Sequence, residues 1–89
     1  MNGTLLVPLT GTATVGAANG GQLYGASLTA AAATSTLVLR EGGASGTVIL
    51  TLSAVANTTA AVRFDGSGYS GQLHATITGA SAVASVEIG

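Results

Sequence analysis

The sequence predicts an all-β domain, a small β-sandwich or jelly-roll-like fold of about seven or eight short strands. Three observations carry this reading. Thr and Val are frequent, and apolar residues recur at every second position in several segments, as half-buried strands require. Glycine-containing turn signals interrupt these segments at intervals of roughly 8–12 residues. No segment sustains the helical period, and helix-capping sequences are scarce.

Residues 4–10 (TLLVPLT) make a first extended segment. Pro8 has no N–H to give a ladder, so the segment belongs at a sheet edge or in an arm, and residues 12–15 (TATV) continue it after Gly11. Gly16 to Gly21 reads as a loop in which Asn19-Gly20 is a strong turn dipeptide. Residues 22–29 (QLYGASLT) form a strand with Tyr24, Ala26 and Leu28 on one face. The alanine run 30–33 favours helix by propensity, but it barely completes one turn and nucleation is costly, so it reads as a connection.

Residues 35–40 (STLVLR) place Leu37 and Leu39 inward, with Val38 and Arg40 outward. After the turn Glu41 to Gly46, residues 47–53 (TVILTLS) put Val48, Leu50 and Leu52 on one face, and Ile49 on the other suggests cover on both sides. These two segments are the best hairpin candidate. Residues 58–65 (TTAAVRFD) turn Val62 and Phe64 inward and Ala61, Arg63 and Asp65 outward, and Gly66 to Gly71 reads as a loop. Residues 72–78 (QLHATIT) bury Leu73, Ala75 and Ile77 and expose His74, Thr76 and Thr78. Residues 83–88 (VASVEI) end the chain with Ala84, Val86 and Ile88 inward and Glu87 outward.

At 89 residues the chain makes one small domain. A net charge of −1 and a mean hydropathy of +0.62 favour collapse over disorder. More than half of the residues are Ala, Gly, Thr or Ser, so the core is thin and an isolated monomer is marginal. Only Arg40, Glu41, Arg63, Asp65 and Glu87 are charged, far below the roughly 25–35% of charged residues on a small soluble surface. Sheet edges largely lack charged guards, which implies that they are paired or covered and that the chain is a homo-oligomer.

Composition also excludes function classes. Without Cys there is no disulfide framework, thiol catalyst or zinc finger. Without Lys there is no P-loop, and two arginines do not neutralise a run of phosphates, so no nucleic-acid partner is expected. Residues 1–39 carry no charged side chain, so the basic region of a secretory signal is missing, and no apolar run is long enough for a membrane helix. Synthesis in the cytoplasm and no membrane partner follow as expectations.

Candidate site residues are few. His74 is the one general-base candidate near neutral pH, and only Glu41, Asp65 and Glu87 exist to orient it. An outward strand histidine bonded to a neighbour is the simpler reading, so no catalytic residue, cofactor or metal is assigned and the chain is not expected to be an enzyme. Asp65-Gly66-Ser67-Gly68 holds one carboxylate where calcium needs several, and it reads as a turn. The glycines at 16–21 and 42–46 lack the helix and Lys of a phosphate cradle and read as hairpin turns. Tyr24 and Tyr69 form either a small aromatic platform for a sugar or buried contacts. Arg63 and Asp65 point outward together, as an ion pair or as contacts that fix docking register.

The order of segments carries a resemblance. Leu23-Tyr24-Gly25, then Thr36-Leu37-Val38-Leu39-Arg40-Glu41-Gly42, then Gly46-Thr47-Val48-Ile49-Leu50, then Phe64, then Tyr69 to Gly79 (YSGQLHATITG) resembles small all-β virion proteins of tailed bacteriophages. The match covers roughly residues 22–88, so residues 1–21 are set apart as an N-terminal arm or edge segment and 22–89 as the β-sandwich domain. The resemblance implies a compact sandwich, often trimeric, that decorates a virion part and carries no catalytic or ligand residue. The resulting expectation is a capsid decoration or cement protein on the virion surface, acting as a homotrimer and binding the major capsid protein across neighbouring subunits. The alternative is a host-surface or glycan-binding module of a phage fibre or spike. Interface candidates are Leu5, Leu6, Val7, Pro8 and Leu9 in the arm, with Arg63 and Asp65.

Overall fold

A computed structural model describes residues 5–15 and 20–89. Eight strands follow one another, β1 (Leu5–Leu9), β2 (Ala13–Val15), β3 (Gly21–Thr29), β4 (Ser35–Glu41), β5 (Thr47–Ala54), β6 (Thr59–Tyr69), β7 (Leu73–Thr78) and β8 (Val83–Ile88). They form two four-stranded sheets, ordered β1-β8-β3-β6 and β2-β7-β4-β5, in which every pair is antiparallel. The partners nest: β4 pairs with β5, β3 with β6, β2 with β7 and β1 with β8. A long hairpin folded at the β4–β5 turn, then wound so that each arm alternates between layers, produces this order. It is the jelly roll. The all-β sandwich expected from the sequence is the fold observed, and β4–β5 is the hairpin read from its alternation.

The core is a thin seam between the layers. Leu28, Leu37, Leu39, Leu73 and Val86 are its largest fully buried apolar side chains, and alanines such as Ala26, Ala75 and Ala84 fill the spaces between them. Small fillers let the layers approach closely, and the Cα atoms span 36 × 30 × 16 Å, a slab rather than a sphere. Val62, Phe64 and Ile77, expected inward, sit at the margin as half-buried side chains packed against this seam. The residues after Gly11 form β2 in the opposite layer from β1, so the chain crosses between sheets there instead of continuing one strand. Of the turn expected at Gly16 to Gly21, residues 16–19 lie outside the described residues.

Three expectations change because the pairing contains bulges. In β3, Leu23 pairs with Ile88 but Gly25 pairs with Glu87, which leaves Tyr24 as an extra residue against β8. The phase switches there, so Leu23 enters the core and Tyr24 does not, while Ala26 and Leu28 stay inward. Opposite this point, β6 slips from Ser67 facing Leu23 to Arg63 facing Gly25. Gly66 occupies the slip with φ near +110°, a conformation that glycine adopts without a Cβ clash. Gly66 to Tyr69 therefore continue β6 and are not the expected loop, and the stretch Asp65 to Gly68 is not a turn. In β5, Leu50 pairs with Leu39 and Val48 with Arg40, which leaves Ile49 without an opposite number. Val48 and Ile49 are both exposed, where the sequence placed Val48 with the buried face and expected cover over Ile49.

Candidate interaction surfaces

The outer face of the β1-β8-β3-β6 sheet holds a shallow depression of about 180 Å³, lined among others by Leu6, Gly25, Ser27, Ala61, Ser85 and Arg63. Register explains it. Gly25 lies between Glu87 on β8 and Arg63 on β6, and the next row runs Pro8, Ser85, Ser27, Ala61. Small side chains on the two central strands leave the hollow. Over Gly25 the Arg63 Nη1 reaches Glu87 Oε1 at 3.5 Å, an ion pair that closes one end. A Cβ at residue 25 would stand 2.9 Å from the Val62 carbonyl oxygen, so the backbones also need this glycine. Arg63 thus reaches across the sheet to Glu87, and Asp65, exposed on β6, is not its partner in that pair. The Arg63 side chain is 79% exposed, so solvent screens the pair.

The outer face of the other sheet is rich in hydroxyls. Thr36 lies between Ser53 and Thr78, Val38 between Thr51 and Thr76, and Arg40 between Val48 and His74. His74 has Thr14 on its other side. Its strand-register neighbours are therefore an arginine and a threonine, neither of which orients an imidazole as a base. The carboxylates are dispersed: Glu41 Oε2 accepts the Ser70 backbone N–H at 2.9 Å, Asp65 lies on β6 and Glu87 on β8. Among the described residues no group of three or more His, Cys, Asp or Glu side chains is placed to hold a metal ion.

The two tyrosines are committed to glycine backbone. Tyr69 is buried, and a Cβ on Gly21 would stand 3.0 Å from its hydroxyl. The half-buried Tyr24 ring lies against Gly66 and Gly89, where added Cβ atoms would come within 3.2 and 2.6 Å of it. The rings cover bare backbone at separate places and do not form one open platform.

The flanks of the slab differ. β1 and β2 edge one flank, β5 and β6 the other. Of the arm residues named from sequence, Leu5 pairs with Ile88, Leu9 is buried in the core and Val7 packs against it, which leaves Leu6 and Pro8 outward. The whole of β1 is laddered to β8 of its own chain. The exposed large apolar side chains among the described residues are Leu6, Val48, Ile49, Val55 and Val83. Three of these five lie on β5 or directly after it; the sequence reading placed Val48 and Ile49 under cover and named none of the three as an interface candidate. The available signal was the run TVILTLSA itself, a strand without charge or proline.

No known protein family, curated protein or solved structure matches this chain. The surfaces alone carry the functional argument.

Proposed function

We propose that the chain is a structural virion protein, a capsid decoration or cement protein that stabilises a phage head by binding across neighbouring capsid subunits. The observation that supports this reading most is the long uncharged β5 edge on a thin slab with five charged residues. A protein of this kind works by covering area. It needs shape, strand edges and apolar contact, and no reacting group. Each copy offers little surface, but several copies of a homo-oligomer on a symmetric shell add their contacts through high effective concentration. The resemblance to small phage virion proteins supplies the shell as the partner and three copies as the family pattern. The jelly roll recurs in viral capsid proteins and also in lectins, so the fold is compatible with both readings and decides neither. A glycan-binding module draws on stacked aromatics, and with Tyr69 buried the sandwich offers no paired platform, which places that reading second.

The test mixes the purified chain with empty, expanded phage heads. Co-sedimentation with the heads and a rise in their heat resistance are the expected outcome. Absence of binding to heads, together with host-cell binding that Tyr24→Ala abolishes, would replace cement by adhesion.

A further inference from the structure

We infer that β5 pairs antiparallel with β5 of a second copy across a two-fold axis near Leu52, joining two β2-β7-β4-β5 sheets into one continuous sheet. The inference concerns the chain alone and does not depend on the virion reading. Its basis is the inequality of the sheet edges. Among the described residues β1 has five and contains Pro8, and β2 has three. Shortness and proline are both devices that stop an edge from recruiting another strand. β6 is long but carries Arg63 and Asp65 outward, and outward charges also guard an edge. β5 has neither charge nor proline in its eight residues, and apart from the bulge at Ile49 its free backbone N–H and C=O groups are a template for a further strand.

The sequence of this edge selects a second copy as the occupant. From Leu50 to Ala54 the register with β4 is regular, so the outer side of this stretch is regular as well. Exposed Ile49 precedes the stretch and exposed Val55 follows it, each three residues from Leu52. An antiparallel pairing centred on Leu52 sets Leu50 against Ala54 and Thr51 against Ser53, and it lays Ile49 of each copy beside Val55 of the other. One patch thereby satisfies itself, as a two-fold contact demands, and β5 brings no charge to it. The five regular residues span about 17 Å, and on a slab this thin the contact covers on the order of 300 Å² per copy. Stable interfaces cover roughly 800 Å² per partner, so the product is a reversible, concentration-dependent dimer. In free solution this two-fold dimer takes the place of the three copies suggested by the family pattern.

Sedimentation equilibrium of the full chain from micromolar to millimolar concentration tests the pairing. The mass is expected to rise from 8.4 kDa toward the value for two copies. Thr51→Lys, an exposed position on the edge, is expected to weaken association about tenfold or more, because an edge lysine opposes strand addition. Leu6→Lys on the opposite flank is expected to leave it unchanged. Hydrogen exchange on the unmodified chain gives a reading independent of any variant: the amides of Leu50 to Ala54 gain protection as concentration rises, and those of β1 do not. A mass fixed at one copy up to millimolar concentration overturns the inference. So does association, trimeric or otherwise, that Thr51→Lys does not weaken, or edge amides whose protection ignores concentration. Binding to phage heads is scored separately, so either reading survives the failure of the other.

Discussion

The two flanks of this sandwich solve the same problem in opposite ways. Every open sheet ends in strands with unpaired backbone groups. On one flank the chain blunts them, with Pro8 in β1 and three residues of β2 among those described. On the other it builds its longest outer strands and leaves β5 uncharged and partly apolar. The difference teaches that strand length and proline separate the two flanks more than charge does, since β1 and β2 are as uncharged as β5 and the charges of β6 lie on the long flank. If β5 receives a neighbour, the hairpin under that edge has to be rigid.

The largest expected effect tests that rigidity. Leu37, fully buried at the centre of β4, faces Leu52 on the long flank, and Leu9 is buried at the end of β1 on the short one. Leu37→Ala is expected to lose about 2–5 kcal/mol toward the upper end of that range, and Leu9→Ala toward the lower end. Urea denaturation of both variants measures the two costs. Equal losses would break the comparison, because the flanks would then be equally tied to the core.

Glycines sharpen it at a smaller scale. Gly46 closes the β4–β5 turn, and a Cβ there would run into the Glu41 carbonyl oxygen. Gly11, in the β1–β2 crossing, has nothing within 4 Å of that position and no left-handed backbone. Gly46→Ala is expected to destabilise by about 1–3 kcal/mol through forced backbone shifts. Gly11→Ala is expected to stabilise by about 0.4–1 kcal/mol, since alanine restricts the unfolded chain and costs the folded one nothing. Thermal melts of the pair give opposite signs if the long-flank hairpin is tightly built and the short flank is loosely built.

The parts of the fold that could be read from sequence are those where alternation runs unbroken. β4, β7 and β8 each pair in constant phase through their buried positions, so Leu37, Leu39, Leu73, Ala75, Ala84 and Val86 fall inward as their spacing says. The misreadings cluster at bulges. Whether Tyr24 or Leu23 is inward depends on β8 having one residue fewer there, and whether Ile49 has a partner depends on β4. A bulge is a property of two strands, so one strand's sequence does not contain it. Gly66 shows the same limit: glycine signals a positive φ, but a turn and a bulge both need one. For the surfaces, Arg40, Arg63, Asp65 and Glu87 were legible as outward residues, whereas Glu41, read as the start of a turn, ends β4. The Arg63–Glu87 pair was not, because it forms across a third strand and only where that strand offers Gly25.

The smallest effect on stability carries information about the second long edge. Arg63 pairs with Glu87 at 3.5 Å while remaining mostly exposed, so Arg63→Ala is expected to cost about 0–1 kcal/mol, less at high salt. Its consequence for association is expected to exceed its consequence for folding. With Asp65→Ala added, β6 loses both outward charges and becomes as bare as β5, and the flank then offers two unguarded edges in place of one. Sedimentation of the double variant is expected to show association at lower concentration than the unmodified chain, because both edges of that flank then face the same contact. If the double variant associates no more readily, charge is not what separates β6 from β5. The bulge at Gly66, which twists the far end of β6 away from regular pairing, is then the feature that protects that edge.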